Sequence, residues 1–187
     1  MSLDQANLVL VALAVAVVTS YADVRNAALN GHNTYRRQEA SQENVANMNA
    51  LVWSNDLANR ARQWAAKCRW GHQNINAQQG ENLYYSYPKN AADDTYINRA
   101  LSSWMSEKKF NTDKSFNCCN KNTACCHYTQ VVSSKSKSVG CAVVKCDKLY
   151  DLQGSRVLAN NAAYVACFYS PAGNVVMNGD PRPYKYG

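Results

Sequence analysis

Eight of the 187 residues are cysteine, and four of them stand together in CCNKNTACC as Cys118, Cys119, Cys125 and Cys126. A reduced cytosolic domain of this size seldom carries so many thiols, so the count points to an oxidising compartment or to bound metal. The N-terminus decides between the two. Residues 8–18, LVLVALAVAVV, form an eleven-residue apolar run, long enough for the core of a secretory signal peptide and too short to span a bilayer. Ser20-Tyr21-Ala22 then places small residues at both recognition positions of a cleavage site. Residues 1–22 are therefore expected to be a signal peptide, although Asp4 leaves the α-amino group as the one positive charge ahead of the run. Its removal, which takes Asp4 with it, raises the formal net charge from +7 to +8. The expected product is secreted, extracellular and disulfide-bonded.

No Pro/Gly/Ser-rich linker divides residues 23–187, which are read as a single domain with room for a core. Val24, Ala28, His32 and Tyr35 recur at helical spacing and predict a first helix with His32 on its apolar stripe. Ser54 can cap a second, in which Leu57, Ala61, Trp64, Ala65 and Cys68 share a face and which ends before Gly71. Asp93, Asp94 and Thr95 suit the start of a third, whose apolar face is Ile97, Leu101, Trp104 and Met105. Toward the C-terminus the period becomes extended. Residues 139–146 and 163–169 read as two strands of an antiparallel hairpin, joined by a polar connection from Asp147 to Asn161. Helices followed by strands predict α+β, and the stretch after Pro171 reads as irregular coil.

The chemistry rests on few residues. There are three histidines, His32, His72 and His127, so far apart in sequence that only the fold can bring them together. His32 lies in HNTYR, Glu81 in GENLY, Glu107 in WMSEKKF and His127 in HYTQVV, followed by VGC and CFYSPAGN. In order and spacing these segments resemble the signatures of the CAP superfamily, which holds cysteine-rich secretory proteins, antigen 5 venom allergens and plant pathogenesis-related proteins. The resemblance covers nearly all of residues 23–187. It implies an α-β-α sandwich in which a three-stranded antiparallel sheet lies between helices, stabilised by disulfides. It also implies a cleft lined by two histidines and two glutamates, carried over here as His32, Glu81, Glu107 and His127. The two histidines would hold a divalent metal, commonly Zn²⁺, weakly, with both glutamates nearby. Two imidazole nitrogens suit Zn²⁺ and leave positions open to water or a ligand.

The same resemblance implies disulfides Cys68 to Cys141 and Cys146 to Cys167, the latter tying the two predicted strands. The CCNKNTACC cysteines are read as disulfides in preference to a Cys₄ zinc site, with their pairing open among three possibilities. Their loop immediately precedes His127 and is expected to fix one wall of the cleft. His72, in RWGH, matches a frequent Gly/Ser-His of the family and is read as structural. Ser133 stands where the family usually has tryptophan after HYTQVV, so packing beside His127 must differ.

Binding of a sterol or other lipid by a non-enzymatic protein is the leading expectation from the resemblance. An extracellular signalling or immune-modulating scaffold acting through a protein receptor is the alternative, and a secreted hydrolase using the four His/Glu residues the third. For hydrolysis the segment offers Tyr128, Thr129, Ser133 and Ser134 but no arrangement that makes any of them a nucleophile. Lys108, Lys109, Lys114, Lys121, Lys135 and Lys137 read as a solvated face that could also meet an anionic membrane, and no nucleic-acid signature accompanies them.

Overall fold

The structure, a computed structural model, describes residues 3–73, 79–112, 115–122, 124–174 and 182–185. Lys114 and residues 175–181 of the predicted tail lie outside the described residues, as do the side chains of residues 3–20 and of Lys121. Helix α1 runs from Leu3 to Gln42 and continues unbroken through the expected cleavage point after Ala22. Among the described residues no helix is long and apolar enough to cross a membrane.

Helix α2 (Asn55–Ala65) begins where the Ser54 hydroxyl accepts the Leu57 N–H, with Asp56 in its first turn. Helix α3 (Asp93–Ser106) starts without a side-chain cap but carries Asp93 and Asp94 in its first turn. It runs into a 3₁₀ turn, Glu107–Phe110. Two short helices, α4 (Asn117–Asn122) and α5 (Cys126–Val131), complete the helical set among the described residues.

Among the described residues the sheet has five strands. Strand β4 (Ser138–Asp151) pairs antiparallel with β5 (Val157–Ser170), which pairs antiparallel with β3 (Gly80–Ser86). These three make the antiparallel sheet that was expected. Two-residue strands β1 (Val52–Trp53) and β2 (Arg69–Trp70) add parallel pairs at opposite ends of β4, so the count is five, not three. The connection predicted over 147–161 is mostly strand, with only residues 152–156 left between β4 and β5. Asp147, Lys148, Asn160 and Asn161 are exposed positions of a long hairpin whose buried residues include Leu149 and Ala159.

Helices cover both faces, which gives the three layers. On one face Val24 and Ala28 of α1, Ile97, Leu101 and Trp104 of α3 and Tyr128 of α5 pack with Val139, Cys141, Val165, Cys167 and Tyr169. On the other, Leu57, Ala61 and Ala65 of α2 pack with Ala142, Cys146, Ala166 and Phe168. Helix α2 lies so close that a Cβ at Gly140 would stand 2.2 Å from the Ala58 nitrogen, which explains that glycine in β4.

The alternation of the sheet also decides the disulfides, and corrects two of them. Cys141 and Cys146 are five residues apart on one strand and so face opposite layers. Cys141 lies directly across from Cys167 in the β4–β5 register and bonds to it, with 4.1 Å between Cα atoms. Cys68, just after α2, bonds to Cys146 on the α2 face. The expected Cys68–Cys141 and Cys146–Cys167 pairs would each have to cross the sheet. In the loop before His127 the pairs are Cys118–Cys125 and Cys119–Cys126.

Candidate functional site

Strand β3 ends the sheet order β1-β4-β5-β3, and its residues face alternate layers. Glu81 pairs with Phe168 on the α2 side, while Asn82 pairs with Cys167 on the α1/α3 side. The preceding glycine is required by a close approach. A Cβ at Gly80 would lie 2.0 Å from Gln130 Oε1, which accepts the Gly173 N–H at 2.9 Å while its Nε2 donates to Ser136.

Two His–Glu pairs meet beside this strand. His72 Nδ1 lies 2.5 Å from Glu81 Oε1, and the Gln73 N–H also donates to that carboxylate. The Glu81 side chain is 4% exposed and that of His72 is 65% exposed, so a buried acid aims an open imidazole. Hydrogen bonding to Glu81 raises the His72 pKa against the opposing effect of burial. Opposite it, His127 Nδ1 lies 2.7 Å from Glu107 Oε1, and Glu107 Oε2 accepts the N–H groups of His127 and Tyr128 at 3.0 and 3.3 Å. The His127 ring lies nearly parallel to Trp104, at 16° and 6.1 Å between centroids, and Trp104 Nε1 donates to the Leu83 carbonyl. The His72 and His127 rings are 6.5 Å apart.

Of the four residues assigned from the sequence, the structure brings together Glu81, Glu107 and His127, and puts His72 where His32 was expected. His32 is 0% exposed in the core. Its Nδ1 lies 2.7 Å from the Ala28 carbonyl and its Nε2 2.8 Å from the Tyr169 hydroxyl, so both ring nitrogens are used internally. Burial lowers its pKa to about 4. A metal ligand needs a nitrogen lone pair open to the cleft, and His32 has none. The signal that favours His72 was visible: it follows Gly71 and stands nine residues before Glu81, in a loop after β2 rather than on a core stripe.

The α1 stripe continues past His32 to Arg36 and Glu39, polar residues that the sequence reading passed over. Arg36 is 1% exposed and donates to the Asn49, Val131 and Ser133 carbonyls. Burial lowers its pKa to about 10. Glu39, 2% exposed, accepts from the Tyr128 and Tyr184 hydroxyls and pairs with Lys108 Nζ at 2.9 Å. Lys108, read from sequence as part of a solvated face, also pairs with Glu43 and so anchors the 3₁₀ turn that carries Glu107. Ser133 is fully buried, with its carbonyl on Arg36 and its side chain against Gly173. Ser133→Trp is therefore expected to destabilise the protein by about 2 kcal/mol through overpacking; guanidinium unfolding of the oxidised variant checks it.

Among the described residues no three His, Cys, Asp or Glu side chains are grouped to hold a metal ion. The donor set fits a more open site. Each cleft imidazole gives Nδ1 to a carboxylate, and neither Nε2 has a hydrogen-bond partner among the described residues. Such carboxylate–histidine pairs are the usual support for an imidazole that ligates through its other nitrogen.

The cysteine-rich secretory protein family model matches residues 29–174. GLIPR1-like protein 1 of Mus musculus is 36% identical over 173 residues, which cover 87% of this chain and 64% of the relative. The chain thus spans less than two thirds of that protein. Venom allergen 5.02 of Dolichovespula maculata is 31% identical over 169 residues, covering 81% of this chain and 73% of the allergen. The solved structure of BmVAL-1 superposes with a TM-score of 0.66 at 25% identity, over 88% of this chain and 83% of that one. Layers and relatives agree: this chain belongs to the cysteine-rich secretory protein (CAP) family.

Proposed function

We propose that the protein is a secreted, non-enzymatic CAP-domain protein whose cleft takes a divalent metal ion, Zn²⁺ being the best match, through Nε2 of His72 and His127. The observation that carries this is the pair of imidazoles oriented at Nδ1 by Glu81 and Glu107 and unpartnered at Nε2. A cation held by two nitrogens would offer open coordination positions to water or to an oxygen-bearing ligand. The glutamates orient the rings and supply charge that offsets the cation. Four disulfides suit an extracellular setting, and removal of residues 1–22 by signal cleavage completes that route.

None of the hydroxyls named for hydrolysis hydrogen-bonds to His72 or His127. Tyr128 bonds Glu39, Thr129 bonds the Cys125 and Cys126 carbonyls, Ser133 is buried, and Ser134 bonds the Pro183 carbonyl. Carriage of a sterol or other lipid is the second reading. A groove of about 550 Å³ between α1 and α3 could take a ligand of that size, yet Asp23, Asn26, Asn30, Gln38, Asp94 and Asn98 line much of it. A lining about half polar, with amides and carboxylates in it, suits a hydrogen-bonding ligand better than a sterol.

Calorimetric titration of the oxidised protein with Zn²⁺ tests the proposal, with native mass spectrometry after incubation with a lipid extract as the second arm. Expected are saturable Zn²⁺ binding, an affinity loss of about tenfold or more in His72→Ala and in His127→Ala, and no lipid adduct. Unchanged Zn²⁺ binding in both variants would sink the metal reading. A stoichiometric lipid adduct would put carriage in its place.

A further inference from the structure

We infer that His32, Tyr169 and Asn82 form a buried directional hydrogen-bond chain that positions His127 in the cleft. This rests on the cleft reading above, since it is the cleft that gives the placement of His127 a consequence. The direction follows from the donors and acceptors. The Ala28 carbonyl can only accept, so His32 Nδ1 carries the proton and Nε2 presents its lone pair. The Tyr169 hydroxyl, 2.8 Å from Nε2, must then donate to His32, which leaves its oxygen free to accept. Asn82 Nδ2 lies 3.2 Å from that oxygen and 3.0 Å from the His127 carbonyl. Its two hydrogens serve the two acceptors. The opposite amide orientation would set Oδ1 against the His127 carbonyl oxygen, so the amide is fixed as well.

All three side chains are buried, at 0%, 0% and 1% exposure. Inside a low-dielectric core each bond strengthens the next, and a broken member leaves the others unpaired. His127 is thereby held from two sides. Glu107 takes its N–H and Nδ1, and Asn82 takes its carbonyl from the strand that also carries Glu81. One strand thus orients both histidines, His72 through Glu81 and His127 through Asn82. Tyr169 and His32 act as positioning residues, not as ligands.

The test is long-range ¹H–¹⁵N NMR of the three histidine rings in the metal-free, oxidised protein, followed by Co²⁺ titration. In the wild type, His32 is expected as the Nδ1–H tautomer. Tyr169→Phe and Asn82→Leu should each displace the His127 ring resonances and weaken Co²⁺ binding about tenfold or more. Tyr164→Phe is the control: it removes another buried hydroxyl from β5, on the opposite face and outside the chain, and should leave His127 unmoved. His127 resonances unchanged in a folded Tyr169→Phe or Asn82→Leu protein would overturn the inference. So would an Nε2–H tautomer of His32 in the wild type, a result that needs no variant. A wild type that binds no Co²⁺ contradicts the metal reading alone, because the ring resonances still decide whether the chain holds His127.

Discussion

Replacing Arg36 by methionine is expected to cost about 3 kcal/mol and to lower the unfolding midpoint by roughly 10 °C. The side chain is 1% exposed, and its guanidinium joins three main-chain carbonyls from separate places, Asn49 after α1 and Val131 and Ser133 at the end of α5. Methionine fills most of the volume and carries no charge, so the desolvation of the guanidinium is recovered. What remains is three carbonyls losing their donor away from water, at about 1 kcal/mol each. Arg36→Lys should lose somewhat less, because an ammonium still donates to part of the acceptor set, although it lacks the planar fork that reaches all three. Guanidinium unfolding with the four disulfides intact measures both. A loss below about 1 kcal/mol in Arg36→Met would mean that water replaces the arginine and that it does not knit α1 to α5.

The second large effect is a dependence of stability on acid. The His32 pKa is about 4 in the folded protein against 6.5 for an unperturbed imidazole. Between those values the unfolded chain binds the proton and the folded one does not, so acid favours unfolding. The contribution of His32 is fully present above about pH 6.5 and is lost progressively as the pH falls toward 4. The full span is worth about 3 kcal/mol. Acid also acts on groups other than His32, so the difference in slope between the wild type and His32→Gln isolates the histidine. The wild type should lose stability more steeply from pH 6.5 to 4. Parallel curves would show that His32 accepts a proton in place, against its bonds to Ala28 and Tyr169.

Much of the fold was legible because periodicity reports burial. The α2 and α3 faces and the β4–β5 hairpin follow from apolar spacing, and the family resemblance supplied the layers. Strand β3 was not read as a strand, since Glu81 and Asn82 break the apolar pattern; each is buried against a specific polar partner that no local signal announces. The disulfides were mispaired because linear order does not say which face of β4 a cysteine occupies, whereas a five-residue offset does once the strand is known. His32, expected among the four, lies in the core for a similar reason. A histidine on an apolar helical stripe is a core residue first, and its neighbours Arg36 and Glu39 on that stripe carried the same message of a buried polar network.

The central claim is that His72 and His127, not His32, face each other across the cleft. Zn²⁺ titration at neutral pH, followed through the ring resonances of the three histidines, tests it most directly. Saturable displacement of His72 and His127 together, with His32 fixed, is the predicted result. Movement of His32 with His127, while His72 stays at its metal-free position, would contradict the account.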